Sequence, residues 1–418
     1  MHFLHCADIH LDSPLRGLAR YEGVPEEVVR AAPRRAFEAL IAHALDTRVD
    51  FVVIAGDLYD GDWPDFNTGL FFARQMDLLH QADIPVFLLR GNHDAESRIT
   101  KQLRLPPNVR QFPTDVPGSF TLEHLGVALH GQGFAQADVR DDLAANYPDP
   151  LPGLFNIGVL HTALTGRPGH APYAPTRPEV LLGKGYGYWA LGHVHAREVM
   201  GDAPILLYPG NLQGRHIRET GAKGAEAVQL DGARLHHAAV AFDVMRWLSL
   251  SLDITTCADD DALLDALAAA LGAACAAAQG RALAVRVRLQ GRGPLHARLA
   301  SGNATFEAEL RRVATHATGG LAWVEKLLCE TRPAFERAAL AAGEDPIAEL
   351  LAGLDALRAD PDALARLGRE ALQGLVTKLP AELVLDADEP LLGPDSLQSL
   401  LREAEALLLE GLAGGGAP

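Results

Sequence analysis

Cysteine is scarce. Four occur in 418 residues (Cys6, Cys257, Cys275, Cys329), and no two of them form a CxxC pair. That argues against a disulfide framework and a cysteine-built zinc site, and it points to a reducing compartment, the cytoplasm. Long apolar runs are missing as well. No stretch reaches the roughly 18 uncharged residues of a membrane span, and the alanine run from Ala262 to Ala278 is interrupted by Asp265. The first residues, Met-His-Phe-Leu-His-Cys-Ala-Asp, lack the basic start and apolar core of a secretory signal. Positive charge is also short. There are 37 Lys+Arg against 54 Asp+Glu, a net charge of −17, which argues against a general polyanion binder. The deficit is uneven. Residues 245–335 hold 10 basic against 9 acidic side chains, and residues 336–418 hold 6 against 16.

What is present reads as a globular chain of two or three domains, with 48% hydrophobic and 22% charged residues. Short apolar runs at Phe3–Ala7, Phe51–Ala55, Val86–Leu89, Ile157–Leu160 and Trp189–Leu191 predict buried strands. Pro33–Thr47 and Asn67–Gln81 carry apolar residues at helical spacing. This alternation predicts an α/β layered domain over residues 1–244. A small strand–helix–strand module is expected over 245–335, from Trp247–Ile254, Asp259–Ala278 and Leu283–Gln290. An acidic helical region is expected over 336–418. Asp360-Pro361 would start one of its helices, Asp395 with Gln398 resembles a capping box, and Leu397–Leu408 forms an apolar stripe.

The chemistry-bearing residues cluster where the apolar runs stop. Asp8-Ile9-His10, Gly56-Asp57-Leu58-Tyr59-Asp60, Gly91-Asn92-His93-Asp94, His161 and Gly192-His193-Val194-His195 each follow a strand. In α/β folds that edge binds ligands, because strand ends converge there. Oxygen and imidazole donors without thiolate suit manganese, iron or zinc. Two such ions, roughly 3.5–4 Å apart and sharing a carboxylate, acidify water and offset charge on a phosphoryl group. Glycines 56, 91 and 192 are expected to permit the strand-to-loop turns.

These five blocks, in this order, resemble the calcineurin-like metallophosphoesterases. The runs Ala7–Leu18 and Tyr208-Pro209-Gly210-Asn211-Leu212-Gln213-Gly214-Arg215 look most like the YhaO-type bacterial DNA repair exonucleases of the Mre11/SbcD branch. The resemblance implies a four-layer α/β/β/α sandwich, a small capping domain and a helical C-terminal region. It implies that Asp8, His10 and His195 hold one divalent ion, that Asn92, His161 and His193 hold a second, and that Asp57 bridges them. Manganese is the first choice of metal. His93 would be the catalytic histidine that protonates the leaving oxygen. Nucleases of this branch often carry histidine where Asp60 stands. Asp60 is therefore read as the carboxylate that orients His93, fixing its tautomer and favouring a general acid.

Other residues keep two readings. Arg16, Arg90 and Arg215 are either solvated or clamps on a phosphate. Arg286 and Arg288 are an ordinary polar strand face or a DNA-backbone contact. Tyr186, Tyr188 and Trp189 are core, or a platform for an unstacked base. His5 and Cys6 are expected in the core, and His2, His43, His80, His170 and His216 at the surface. The stripe Leu397–Leu408 packs internally or docks a partner, which in the resembled family is a coiled-coil SMC/Rad50-like ATPase. The resemblance implies a manganese-dependent DNA nuclease, an exonuclease of DNA repair, working with DNA and that ATPase, in a homodimer and without a membrane. The alternative is a metallophosphoesterase acting on a nucleotide or another small phosphodiester. A vestigial scaffold is the third reading.

Overall fold

The computed structural model describes residues 1–13, 26–61, 66–96, 104–164, 173–232, 234–300, 304–376, 378 and 392–413. Arg16 and His170 lie outside the described residues. The chain divides into two compact units. One is Met1–Ser249 with Ala273–Arg286 and Gly319–Glu325; the other is Leu250–Gly272 with Val287–Thr318 and Lys326–Pro418.

The first unit is built on two six-stranded sheets. Strands β1 (His2–Cys6), β2 (Phe51–Ala55), β3 (Val86–Leu89) and β4 (Val109–Gln111) run parallel in one of them. Strands β5 (Gly118–Leu122), β6 (Val127–Gly131), β7 (Phe155–His161), β8 (Tyr188–Gly192), β9 (Glu198–Met200) and β10 (Ile205–Tyr208) form the second, in the order β5-β6-β7-β8-β10-β9. The chain then returns to the first sheet with β11 (Gly224–Asp231), antiparallel to β1, and β12 (Arg234–Ala241) at its edge.

Period-two alternation explains why the strands are apolar throughout. Phe51, Val53 and Ala55 of β2 face the second sheet, where Ile157, Val159, Tyr188 and Ala190 meet them. Val52 and Ile54, one residue out of phase, pack on the other face against helices 26–47 and 67–81 through Phe37, Ile41 and Phe72. The outer face of the second sheet is covered by Tyr147, Leu164 and Leu181. The layered sandwich is therefore present, with a thin fourth layer of one short helix, Pro178–Gly183, and a 3₁₀ turn at Ala144–Asn146.

The aromatic-platform reading fails. Tyr186, Tyr188 and Trp189 are all buried, and the Tyr188 hydroxyl meets His5 Nδ1 at 2.9 Å. His5 and Cys6 lie in the core. His80 and His216 are exposed, but His2 and His43 are half-buried.

Beyond residue 244 the observed elements exceed the expected ones. Strands β13 (Met245–Asp253), β14 (Ala282–Arg292) and β15 (Ala322–Arg332) form a third sheet with β14 central. Helices Asp260–Ala277 and Ala304–Ala317 accompany it. Leu283, Val285, Val287 and Leu289 are buried as alternation requires. Arg286 forks onto Glu325 at 2.7 and 2.9 Å, and Arg288 reaches Glu330 at 2.5 Å. That face is neutralised rather than basic, which leaves little for a DNA backbone.

In the second unit, Asp345 and Asp360 cap helices that open with Pro346 and Pro361. The expected capping box does not form. Its helix starts at Pro394, and the Gln398 side chain donates to the carbonyl of Arg358 at 3.1 Å. Leu397 and Leu401 pack against Leu364, whereas Leu407 is 66% exposed and Leu408 45%. Leu400 and Ala404 are exposed too, so only Leu397 and Leu401 of the stripe's six apolar positions are internal. All four cysteines are free. Among the described residues no helix is long and apolar enough to cross a membrane.

Candidate metal centre

The site forms beyond the C-terminal ends of β1, β2, β3, β7 and β8, which supply one loop each. Backbone hydrogen bonds fasten the first two loops together: Asp8 N donates to the Gly56 carbonyl, His10 N to Asp57 and Leu11 N to Leu58, at 2.9–3.0 Å. Asp94 ties in the third. Its buried carboxylate accepts the amides of Gly91 (3.0 Å), Tyr59 (2.9 Å) and Leu58 (3.3 Å). Burial, then the charge of Asp57, raises this carboxyl to about 6. Asp12, two residues beyond His10, binds Arg34 through both oxygens and also Thr68. Asp8, His10, Asp57 and His193 all have left-handed backbone, with φ of 50°, 45°, 50° and 98°. Non-glycine residues hold such angles only where surroundings impose them, and this strain concentrates at functional sites.

Three groups of side chains converge: Asp8, His10 and His195; Asp57, His161 and His193; and His10, Asp60 and His93. Asp57 sits between the first two. Its Oδ2 is 3.4 Å from His161 Nε2 and 3.9 Å from His10 Nε2, and its Oδ1 accepts the amide of His93 at 3.0 Å. Asn92 Oδ1 lies 3.0 Å from His161 Nε2. His93, 36% exposed, is at the open side with Nδ1 3.4 Å from Asp60 Oδ1. That oxygen is shared. It is also 3.2 Å from His10 Nδ1 and 3.1 Å from Arg215 Nη1. Arg215 therefore belongs to this site. Arg90 turns elsewhere, to the Asp94 carbonyl at 3.4 Å and to a small cavity it shares with Leu58, Leu88 and Gln111.

The donor set fits divalent cations. His161 Nδ1 contacts the Ala55 carbonyl at 2.9 Å, which makes Nδ1 the donor. The neutral ring then aims the Nε2 lone pair at Asp57 Oδ2. His195 Nδ1 contacts Glu219 Oε1 at 2.7 Å. Its Nε2 lone pair thus faces Asp8 Oδ1 at 3.5 Å and His10 Nε2 at 3.2 Å. With both rings neutral, acceptors converge on acceptors, which calls for positive charge between them: protons on Nε2 in the ion-free site, a divalent ion in the loaded one. Such imidazoles, fixed through their far nitrogen, are typical metal ligands.

The electrostatics agree. Burial opposes charge on every member, yet Asp57 is held far below the usual carboxylate range by His161, His10 and His93. Asp8 is lowered by His195 against its own burial. His161 and His195 overcome burial and rise to about 9, through Asp57 and through Asp8 with Glu219 respectively. At pH 7 the ion-free site holds protons there, and a divalent ion must displace them. Affinity for a divalent ion should therefore climb as pH rises toward 9, with about two protons released per loaded chain at pH 7. Calorimetry in two buffers of different ionisation enthalpy measures this, and zero release would remove both histidines from the ligand set. For the ion-free fold the sign is opposite. A raised histidine contributes stability in full below pH 6.5, and that contribution is lost as pH rises through 9.

The glycines do more than turn the chain. Gly56 has φ of 95°, but Gly91 and Gly192 do not have positive φ; their role is close approach. A Cβ on Gly91 would lie 2.3 Å from Asp57 Oδ1, and one on Gly192 would lie 1.9 Å from the Ala55 carbonyl. Gly192→Ala should therefore displace the acceptor that fixes His161. We expect a loss of about 2–3 kcal/mol, read as a Tm lower by about 5–10 °C, with weaker manganese binding. An unchanged Tm would show that the approach relaxes freely.

Sequence reading missed Glu219, buried at the end of the loop after β10, and the full reach of Asp60. The spacing of the five strand-end blocks does not point to the former, which lies outside them all.

Comparison with known proteins places these residues in context. The calcineurin-like phosphoesterase family model matches residues 1–197, and that of the middle domain of the metallophosphoesterase YhaO matches residues 247–332. The uncharacterized metallophosphoesterase YhaO of Bacillus subtilis is 34% identical over 301 residues, 70% of this chain and 72% of that protein. The DNA double-strand break repair protein Mre11 of Methanopyrus kandleri is 26% identical over 234 residues, 50% of this chain and 48% of that protein. A Psychrobacter protein named "Probable cyclic nucleotide phosphodiesterase" is 35% identical over 98 residues, 23% of this chain and 27% of its own length. The chain thus spans about half of the Mre11 relative and about a quarter of the Psychrobacter one.

Proposed function

The chain belongs to the calcineurin-like metallophosphoesterases, a family of hydrolases, and from that premise we propose that it is a manganese-dependent DNA nuclease acting in repair. The observation that carries the reading is the convergence of Asp8, His10, Asp57, Asn92, His161, His193 and His195 from five loops, with His93 at the open side. When bound, two divalent ions would supply an acidified water and offset the charge on the phosphoryl oxygens. Asp8, His10 and His195 would hold one, Asn92, His161 and His193 the other, and Asp57 both.

The remaining chemistry falls to side chains. Water attacks phosphorus in line and the bond to the 3′-oxygen breaks. Asp60 occupies the Nδ1 side of His93, so the proton handed to the departing oxygen comes from Nε2. The products are a free 3′-hydroxyl and a 5′-phosphate. Arg215 would grip a non-bridging phosphate oxygen. Bound ions bring about four positive charges, so DNA affinity can survive the overall −17 and should fall steeply with salt. Likeness to Mre11 supports DNA as the substrate.

Residues 1–244 would form the catalytic domain, 245–335 a cap and 336–418 the region that docks a coiled-coil SMC/Rad50-like ATPase, with exposed Leu407 and Leu408 as its apolar contact. A homodimer in a reducing cytoplasm fits the resemblance and the four free thiols.

A second reading has its own support. Asp60 replaces the histidine common in Mre11-type nucleases, and the Psychrobacter relative is named for cyclic nucleotides. Linear DNA, a cyclic nucleotide and bis(p-nitrophenyl) phosphate, offered side by side with manganese, separate the two. Salt-sensitive DNA cleavage supports the nuclease. Cyclic-nucleotide turnover with intact DNA supports the small-substrate enzyme, and no bound manganese would sink both.

A further inference from the structure

Glu219 lies 24 residues beyond His195 and is buried, 7% exposed. Its two oxygens are engaged on opposite tasks. Oε1 accepts from His195 Nδ1 at 2.7 Å. Oε2 accepts from the Arg215 amide at 2.7 Å and from Asn211 Nδ2 at 2.8 Å. The loop it closes runs from β10 to β11 and is fastened from the other side by Lys223, whose Nζ donates to the His195 carbonyl at 2.7 Å. The Arg215 guanidinium then leans back over the site, 3.1 Å from Asp60 and 3.5 Å from His195 Nδ1.

We propose that Glu219 is a positioning residue that couples the two halves of the reaction site, aiming His195 at the cation with one oxygen and presenting Arg215 to the phosphate with the other. The inference rests on the reading of His195 as a metal ligand. The chemistry demands a carboxylate. Every partner of Glu219 named above is a donor, and only a carboxylate offers two acceptor oxygens with no proton of its own. An amide cannot serve both sides. A glutamine that accepts from His195 turns its NH₂ toward the Asn211 and Arg215 donors, and the flipped amide turns it toward His195. Loss of such an outer carboxylate typically weakens metal affinity 10–100-fold.

The test uses the full chain with Glu219→Gln, Glu219→Asp and Arg215→Ala. Manganese binding is followed by electron paramagnetic resonance, and KM and kcat are measured on bis(p-nitrophenyl) phosphate at saturating manganese. For Glu219→Gln we expect one of two manganese ions to bind about 10–100-fold more weakly, the other to bind as before, and KM to rise. Arg215→Ala should raise KM with both ions bound normally. The double variant Glu219→Gln/Arg215→Ala should raise KM no further than Arg215→Ala alone, since both act through one guanidinium. Glu219→Asp keeps the charge but withdraws it by a methylene, and should fall between Glu219→Gln and the parent. If Glu219→Gln folds and binds two ions with parental affinity, the proposal is overturned. If instead it fails to fold, parental binding in Glu219→Asp overturns it. An unaltered chain that binds no manganese would overturn both this proposal and the metal reading beneath it.

Discussion

Asp57→Ala should bind at most one manganese per chain and lose at least about 10³-fold in hydrolysis of every phosphodiester tested. The magnitude follows from position. Asp57 faces imidazoles of both groups, His161 at 3.4 Å and His10 at 3.9 Å, so in the proposed arrangement its removal separates two sites that otherwise share a charge. Metal polarisation of a phosphoryl group is worth several kcal/mol, and each 1.36 kcal/mol is about tenfold in rate. Metal content by atomic emission and turnover by product release check it together. Two ions bound with full activity would remove Asp57 from the bridge. Metal-free Asp57→Ala should also melt below the parent protein at neutral pH, because Asp57 is the buried anion that raises His161 and accepts the His93 amide, so metal content and turnover are compared on folded protein.

His93→Ala should leave both ions in place and still lower kcat on DNA about 10²–10⁴-fold, the usual reach of general acid catalysis. Metal retention is expected because Asp57 accepts the His93 backbone amide, which alanine keeps. The loss should depend on the leaving group. A deoxyribose 3′-oxygen departs poorly without a proton, whereas p-nitrophenolate needs little help. The rate defect on bis(p-nitrophenyl) phosphate should therefore be much smaller than on DNA. Equal losses on both would mean that His93 stabilises phosphoryl charge rather than donating a proton. Asp60→Asn should show a weaker version of the same contrast, since it takes the carboxylate from His93 Nδ1 without removing the ring.

The strands and the polar residues at their ends could be read in the sequence for one physical reason. A strand buried on both faces is written as an unbroken apolar run, so Phe51–Ala55 and Val86–Leu89 stood out with their observed limits, and each polar residue that followed marked a loop. The resemblance added the proposed grouping of the histidines. What could not be read was made by contacts across the chain. Glu219 reaches His195, and Asp94 reaches Leu58 and Tyr59 from more than 30 residues away. Asp60 could be read beside His93, but its sharing with His10 depends on the loop after β1 and that with Arg215 on a loop 155 residues distant. Strand β15 was hidden because Ala322–Arg332 is buried for its first four residues and mixed afterwards, so no single period describes it. Asp395 and Gln398 had the right spacing for a cap, but Gln398 is drawn to Arg358 by packing.

The left-handed backbone at Asp8, His10 and Asp57 bears on descent as well as on catalysis. An L-residue in that conformation costs about 1–2 kcal/mol, and at these three places it is retained by residues other than glycine. A lineage released from selection for hydrolysis could shed that backbone cost by substituting glycine there without altering its core or sheet order. Retired copies of this architecture should therefore betray themselves at those three positions first, while their strands remain indistinguishable from those of working enzymes.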